Sequence, residues 1–116
     1  SPAAVGVKHA ATGHVVDVCV DLSACPIGEA RELAAPGVVK VVTDRDDAAL
    51  YFSRLPIPFR RDGPDDLASG LYWRHLGIYA YRGDFLNRLV REPPCLLEQT
   101  EMLEQLRALI LAQGLL

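Results

Sequence analysis

Two short runs rich in β-branched and aromatic residues, V-V-K-V-V-T over 38–43 and A-A-L-Y-F-S over 48–53, are separated by only four residues, D-R-D-D. Side chains of this kind favour extended backbone, and an Asp-rich link has the chemistry of a turn. The pair is expected to be a β-hairpin, so whatever this chain folds into has to include a sheet.

Other segments add to that sheet or cover it. Over 14–22 the valines and Leu22 alternate with Asp17, Cys19 and Asp21, the period of a half-buried strand. Residues 1–13, rich in Ala and Gly, lack sustained periodicity and are expected to be a loose lead-in, leaving 14–116 as a single domain. A short helix is expected over 27–35, ended by Pro36-Gly37. Pro56, Pro58, the run 60–66 and Ser69-Gly70 mark a long loop. Alternation returns over 71–81, with Leu76, Ile78 and Ala80 on one face and His75, Gly77, Tyr79 and Tyr81 on the other. Asp84 is placed to cap a two-turn helix over 84–90, and Pro93-Pro94 separates it from one long helix over 96–113. In that helix Glu98, Glu101 and Glu104 fall in the N-terminal half, where carboxylates suit the helix dipole. The order implies an α/β fold, a small mixed sheet flanked by helices, with no internal repeat.

Composition excludes several functions. A net charge of −3 lacks the basic face that a phosphate backbone demands, so nucleic acid is not an expected partner. No apolar run approaches the roughly 20 residues that cross a bilayer, and no signal-peptide pattern opens the chain, so a cytoplasmic protein with no membrane partner is expected. Cys19, Cys25 and Cys95 are odd in number and lack C-x-x-C spacing, which suggests reduced, buried thiols and no metal site. At 116 residues one small core is expected, which a dimer would help to cover.

Four blocks carry more specific information: V-V-K-V-V-T-D, A-L-Y-F-S-R-L-P-I-P, W-R-H-L-G-I-Y-A-Y-R and L-L-E-Q-T-E-M-L-E-Q-L-R. In this order and spacing they resemble the central and C-terminal part of the CMP-Kdo synthetases, the cytidylyltransferases that activate the sugar acid 3-deoxy-manno-octulosonate. The resemblance covers about residues 15–108 and is strongest after Val38. It implies that these blocks line the sugar-acid pocket and the dimer interface.

Position by position, it implies that Arg54 of Y-F-S-R clamps the sugar carboxylate, a task suited to a planar guanidinium. It implies that His75 and Tyr79, four apart on one strand, and the adjacent Glu104 and Gln105 contact sugar hydroxyls. The bland alternatives are a surface ion pair for Arg54, a structural histidine, and a solvated Glu104–Arg107 pair. The sequence departs from the family at Cys95-Leu96-Leu97-Glu98, where Ser-Pro-Leu-Glu is usual, and in a slightly shorter loop between Arg54 and His75. No phosphate-holding Arg-x-x-Ser-x-Arg-x-x-Gly-Lys stretch is found.

No cofactor is therefore expected on this chain alone, although the resemblance implies magnesium and CTP for a complete enzyme. Three readings follow. The first is a half-enzyme, a fragment or split subunit, that binds a sugar acid or keto acid and dimerises, and whose activity a partner carrying the nucleotide-binding half would restore. The second is a stand-alone enzyme doing acid–base chemistry on a keto acid or sugar-like substrate without nucleotide, with His75, Tyr79 and Glu104 as its catalytic residues. The third is a dimerisation scaffold without catalysis.

Overall fold

The computed structural model describes residues 5–9 and 20–114. Five strands form one mixed sheet in the order β1-β2-β5-β3-β4: β1 Val5–His9, β2 Val20–Pro26, β3 Lys40–Thr43, β4 Ala49–Ser53 and β5 Trp73–Tyr81. β1 runs parallel to β2, and the remaining pairs are antiparallel. The hairpin expected from 38–53 is present as β3 and β4, with Lys40 opposite Ser53 and Val42 opposite Tyr51. The turn holds because Asp44 Oδ1 accepts from the backbone N–H groups of Asp46 and Ala48.

Two features near the N-terminus differ from the sequence reading. The expected lead-in contains a strand, since Val5–His9 pairs along β2. The strand expected over 14–22 is seen from Val20 and runs on to Pro26; residues 10–19 lie outside the described part. Burial still alternates there, with Leu22 and Ala24 buried and Ser23 and Cys25 half-buried. A single bridge between Gly6 and Ala48 brings the β1 edge against the start of β4, so the sheet curls towards itself.

Four helices accompany the sheet: α1 Ala30–Ala34, α2 Gly83–Leu89, α3 Leu96–Glu101 and α4 Gln105–Ala112. α4 buries Leu106, Ala108, Leu109, Leu111 and Ala112 in a core shared with Val5, Leu22, Val41 and Phe52. α1 sits over a smaller cluster of Ile27, Leu33 and Tyr72. Ile27 was expected inside the helix. It lies instead between β2 and α1, where its N–H donates to the Tyr72 carbonyl. The cap of α2 lies two residues earlier than expected: Arg82 is the N-cap, and Asp84 Oδ1 accepts from the N–H of Phe85 within the first turn.

The single long helix expected over 96–113 is two helices. Met102 adopts the left-handed conformation, with φ 57° and ψ 48°, and ends α3 there. A left-handed methionine is disfavoured by roughly 1–2 kcal/mol, so the surroundings must hold it. Part of that hold comes from Arg107, whose guanidinium makes a two-pronged pair with Glu98 at 2.6 and 2.8 Å across the break. Both side chains are largely buried. The Glu104–Arg107 pair considered from sequence is not what engages this fork, because Glu98 occupies it.

β5 carries a second irregularity. Leu22 pairs with Tyr79 but Ala24 pairs with His75, so three residues of β5 face one of β2 around Gly77. Gly77 has φ 82°, and a methyl group placed on it would meet no atom within 4 Å. Gly77→Ala is therefore expected to lose about 1 kcal/mol of stability through backbone conformation alone, and Gly77→Asn less than that; equal denaturation midpoints for glycine and alanine would contradict the bulge geometry.

The Glu98–Arg107 pair has its own signature. The Arg107 bond, helped by the Cys95 N–H, holds the Glu98 carboxyl below the usual carboxylate range. Its contribution is complete above that range and disappears as pH falls through the lower folded-state value. Arg107→Met should cost about 3 kcal/mol by leaving a buried carboxylate unpaired and should flatten the acid limb of the stability profile in urea titrations.

Candidate functional site

His75 lies on β5 immediately before the bulge, and only 8% of its surface is exposed. The strand faces are the reverse of what hydropathy suggests: Leu76 and Ala80 are exposed, while His75 is buried and Trp73 and Tyr81 pack on the main core. The imidazole meets the Phe52 ring edge to face at 5.8 Å. Its Nδ1 lies 3.2 Å from the side-chain nitrogen of Gln105, the first residue of α4, which is also buried. The two side chains share a hydrogen bond whose direction follows the tautomer of the imidazole. Burial pushes the His75 pKa below its ordinary value, which keeps the ring neutral at pH 7.

Arg54 follows β4 directly and is engaged at the corner between α3 and α4. Its Nε donates to the Glu101 carbonyl at 2.7 Å, Nη1 to the Pro36 carbonyl at 2.9 Å and Nη2 to the Met102 carbonyl at 2.9 Å. These bonds tie the end of α1, the end of β4 and the left-handed corner together. Three of the five guanidinium protons are spent on backbone in this arrangement.

The same corner holds two residues to which sequence reasoning assigned no site role. Glu101 turns its carboxylate onto β4, accepting from Ser53 Oγ at 2.7 Å, Tyr51 OH at 3.3 Å and the Arg54 N–H at 3.1 Å. Lys40 has no exposed surface, and its Nζ donates to the Ala35 and Arg54 carbonyls, both at 2.7 Å. Burial, and secondarily the positive charge of Arg54, pushes the Lys40 pKa down. A lone lysine inside V-V-K-V-V was the available signal for Lys40. For Glu101 the sequence offered only a spacing of three from Glu98 and Glu104, which suits a helix face as well as a docking point.

The structure therefore brings together two of the five expected residues, His75 and Gln105. Glu104, next in the chain to Gln105, is exposed and borders two shallow depressions of about 310 and 220 Å³. The second of these is also lined by Tyr81, Leu89 and Arg107. The Tyr79 backbone pairs with Leu22, and its side chain lies outside the described part. Cys25 and Cys95 are free and half-buried, and Cys19 falls outside the described residues. Among the described residues no three His, Cys, Asp or Glu side chains are grouped to hold a metal ion.

A sequence model of the family described as cytidylyltransferase matches residues 16–115. The 3-deoxy-manno-octulosonate cytidylyltransferase 2 of Burkholderia ambifaria is 57% identical over 89 residues, covering 74% of this chain and 33% of that protein. The 3-deoxy-manno-octulosonate cytidylyltransferase of Polynucleobacter necessarius is 57% identical over 86 residues, covering 74% of this chain and 34% of its own length. Among solved structures, a CMP:2-keto-3-deoxy-manno-octonic acid synthetase complexed with CTP superposes with a TM-score of 0.62 at 31% identity. That match covers 86% of this chain and 52% of the other. The chain spans about a third of the length of these curated relatives. With the mixed sheet, its helices and the four sequence blocks, these matches show that the chain belongs to the cytidylyltransferase family, where the relatives it resembles are the 3-deoxy-manno-octulosonate cytidylyltransferases.

Proposed function

We propose that this chain supplies the sugar-acid-binding surface of a cytidylyltransferase, taking 3-deoxy-manno-octulosonate or a related keto acid, and that nucleotidyl transfer needs residues from elsewhere. The observation that carries this reading is the buried His75–Gln105 pair. A polar pair inside an apolar core costs stability unless it is satisfied, and a neutral imidazole beside an amide suits recognition of sugar hydroxyls. Glu104 extends the same helix end towards solvent as an acceptor, and Tyr79 belongs to the same strand as His75. Arg54 serves the carboxylate in this reading with the guanidinium protons that the corner does not use. Magnesium and CTP belong, in this reading, to the nucleotide-binding half.

The same reading makes the protein a homodimer, and the enzyme is complete where the nucleotide-binding half is also present. Support for a covered face comes from an apolar groove of about 560 Å³ lined by Leu50, Tyr51, Ile57, Pro58, Leu71 and Trp73. Phe59 and Leu55 stand beside it in the same loop, 87% and 70% exposed. A cytoplasmic location belongs to the proposal too; among the described residues no helix is long and apolar enough to cross a membrane.

Calorimetric titration tests the site. The chain is expected to give saturable heat with 3-deoxy-manno-octulosonate and none with CTP and magnesium, and to elute as a dimer in light scattering. His75→Ala and Gln105→Ala should each weaken sugar-acid binding about tenfold, or about 1.4 kcal/mol. Silence with this sugar acid and every related keto acid would remove the proposal, and turnover without CTP would replace it with a stand-alone enzyme.

His75 also predicts a pH dependence. Its folded pKa lies below the ordinary histidine value, so as pH falls the unfolded chain takes up the proton first. Stability is expected to be level above about pH 7 and to fall from about pH 6.5 downward, until the folded-state value is reached. The fall should be shallower in His75→Gln, as read from denaturation midpoints across pH.

A further inference from the structure

None of the roles implied by the family resemblance falls on Glu101, yet its contacts and those of His75 form one closed ring. Glu101 accepts from Tyr51 and Ser53, the residues on either side of Phe52 in β4. Phe52 is fully buried and packs against the His75 ring. His75 is bonded to Gln105, which lies four residues beyond Glu101. Between Glu101 and Gln105 the chain leaves helix α3, passes the left-handed Met102 and enters α4. The placement of Gln105 under His75 is thus not inherited from a continuous helix. It depends on where the corner is pinned, and the pins are the three hydrogen bonds to the Glu101 carboxylate and the Arg54 bonds to the Glu101 and Met102 carbonyls.

We propose that Glu101 is a positioning residue for the His75–Gln105 site: by clasping β4 on both sides of Phe52 it sets the entry of α4, and with it the amide that orients the imidazole. Its importance for ligand binding rests on the sugar-acid reading above; its effect on the imidazole does not. A carboxylate suits the task because it offers several acceptor sites and so can take two hydroxyl donors and a backbone N–H at once. An exposed surface glutamate would have no such consequence.

The test reads the His75 ring directly by ¹⁵N-edited NMR on the intact 116-residue chain, with no ligand present. Glu101→Ala is expected to move the His75 ring signals to those of Gln105→Ala, and Glu101→Gln, which keeps an acceptor oxygen, to return them part of the way. In a parallel titration, 3-deoxy-manno-octulosonate binding should weaken about tenfold in Glu101→Ala. His75 signals that stay at their wild-type positions in folded Glu101→Ala, while its melting temperature drops, would overturn the proposal and leave Glu101 as a stabilising contact only. If Glu101→Ala does not fold, Ser53→Ala and Tyr51→Phe each remove one donor. Both should shift the ring signals in the same direction by smaller amounts, and no shift in either would overturn the proposal equally. Failure of the wild type to bind the sugar acid would sink the sugar-acid reading while leaving the ring measurement decisive.

Discussion

The helical part of this protein is fastened to its sheet at the left-handed corner around Met102, and most of the remaining arrangement depends on that fastening. A methionine with φ 57° has nothing intrinsic to favour it, and its side chain is 74% exposed, so packing does not hold it either. Polar bonds do. The Glu101 carboxylate reaches down to β4, the Arg54 guanidinium reaches up to the two corner carbonyls, and Lys40 secures the Arg54 carbonyl from β3. Hydrogen bonds to charged groups are stronger than neutral ones, and within a partly buried site they lose less to screening by water. The result is a rigid junction where α1, β3, β4, α3 and α4 all terminate or begin.

That junction explains how a polar pair is accommodated in a small apolar core. His75 and Gln105 are buried among Phe52, Leu106 and their neighbours, a setting that penalises charge and leaves the imidazole neutral. A neutral ring can both donate and accept, and Gln105 engages its Nδ1. The two glutamates of α3 and the one that precedes α4 then divide three tasks among themselves. Glu98 neutralises Arg107 across the helix break, Glu101 docks the corner, and Glu104 remains exposed at the surface.

The elements most legible in the sequence were those fixed by neighbouring residues. The hairpin of β3 and β4 was readable because β-branched and aromatic runs flank a short Asp-rich turn, and Asp44 closes that turn with its own side chain. The four blocks carried the family, and they lie within the range that the cytidylyltransferase family model matches. Less legible were the faces of β5. Leu76 and Ala80 look like its buried side, but the sheet presents His75, Trp73 and Tyr81 to the core, and the bulge at Gly77 disturbs the alternation. The helix break was hidden for a similar reason. Leu103, Leu106 and Ile110 keep helical spacing through 96–113, so the pattern alone continues straight past Met102.

By itself, then, the sequence determined the β3–β4 hairpin, the helical character of most of 96–113, and the family to which the chain belongs, because those properties follow from local propensity, turn chemistry and the order of the four blocks along one chain. Tertiary structure alone decided that Arg54 spends bonds on a backbone corner, that the Glu101 carboxylate receives the hydroxyls of β4, and that Gln105 meets His75. The last two partners lie 48 and 30 residues apart in the chain. Contacts at that separation are set by where rigid elements come to rest against one another, and no periodicity within a single segment encodes that.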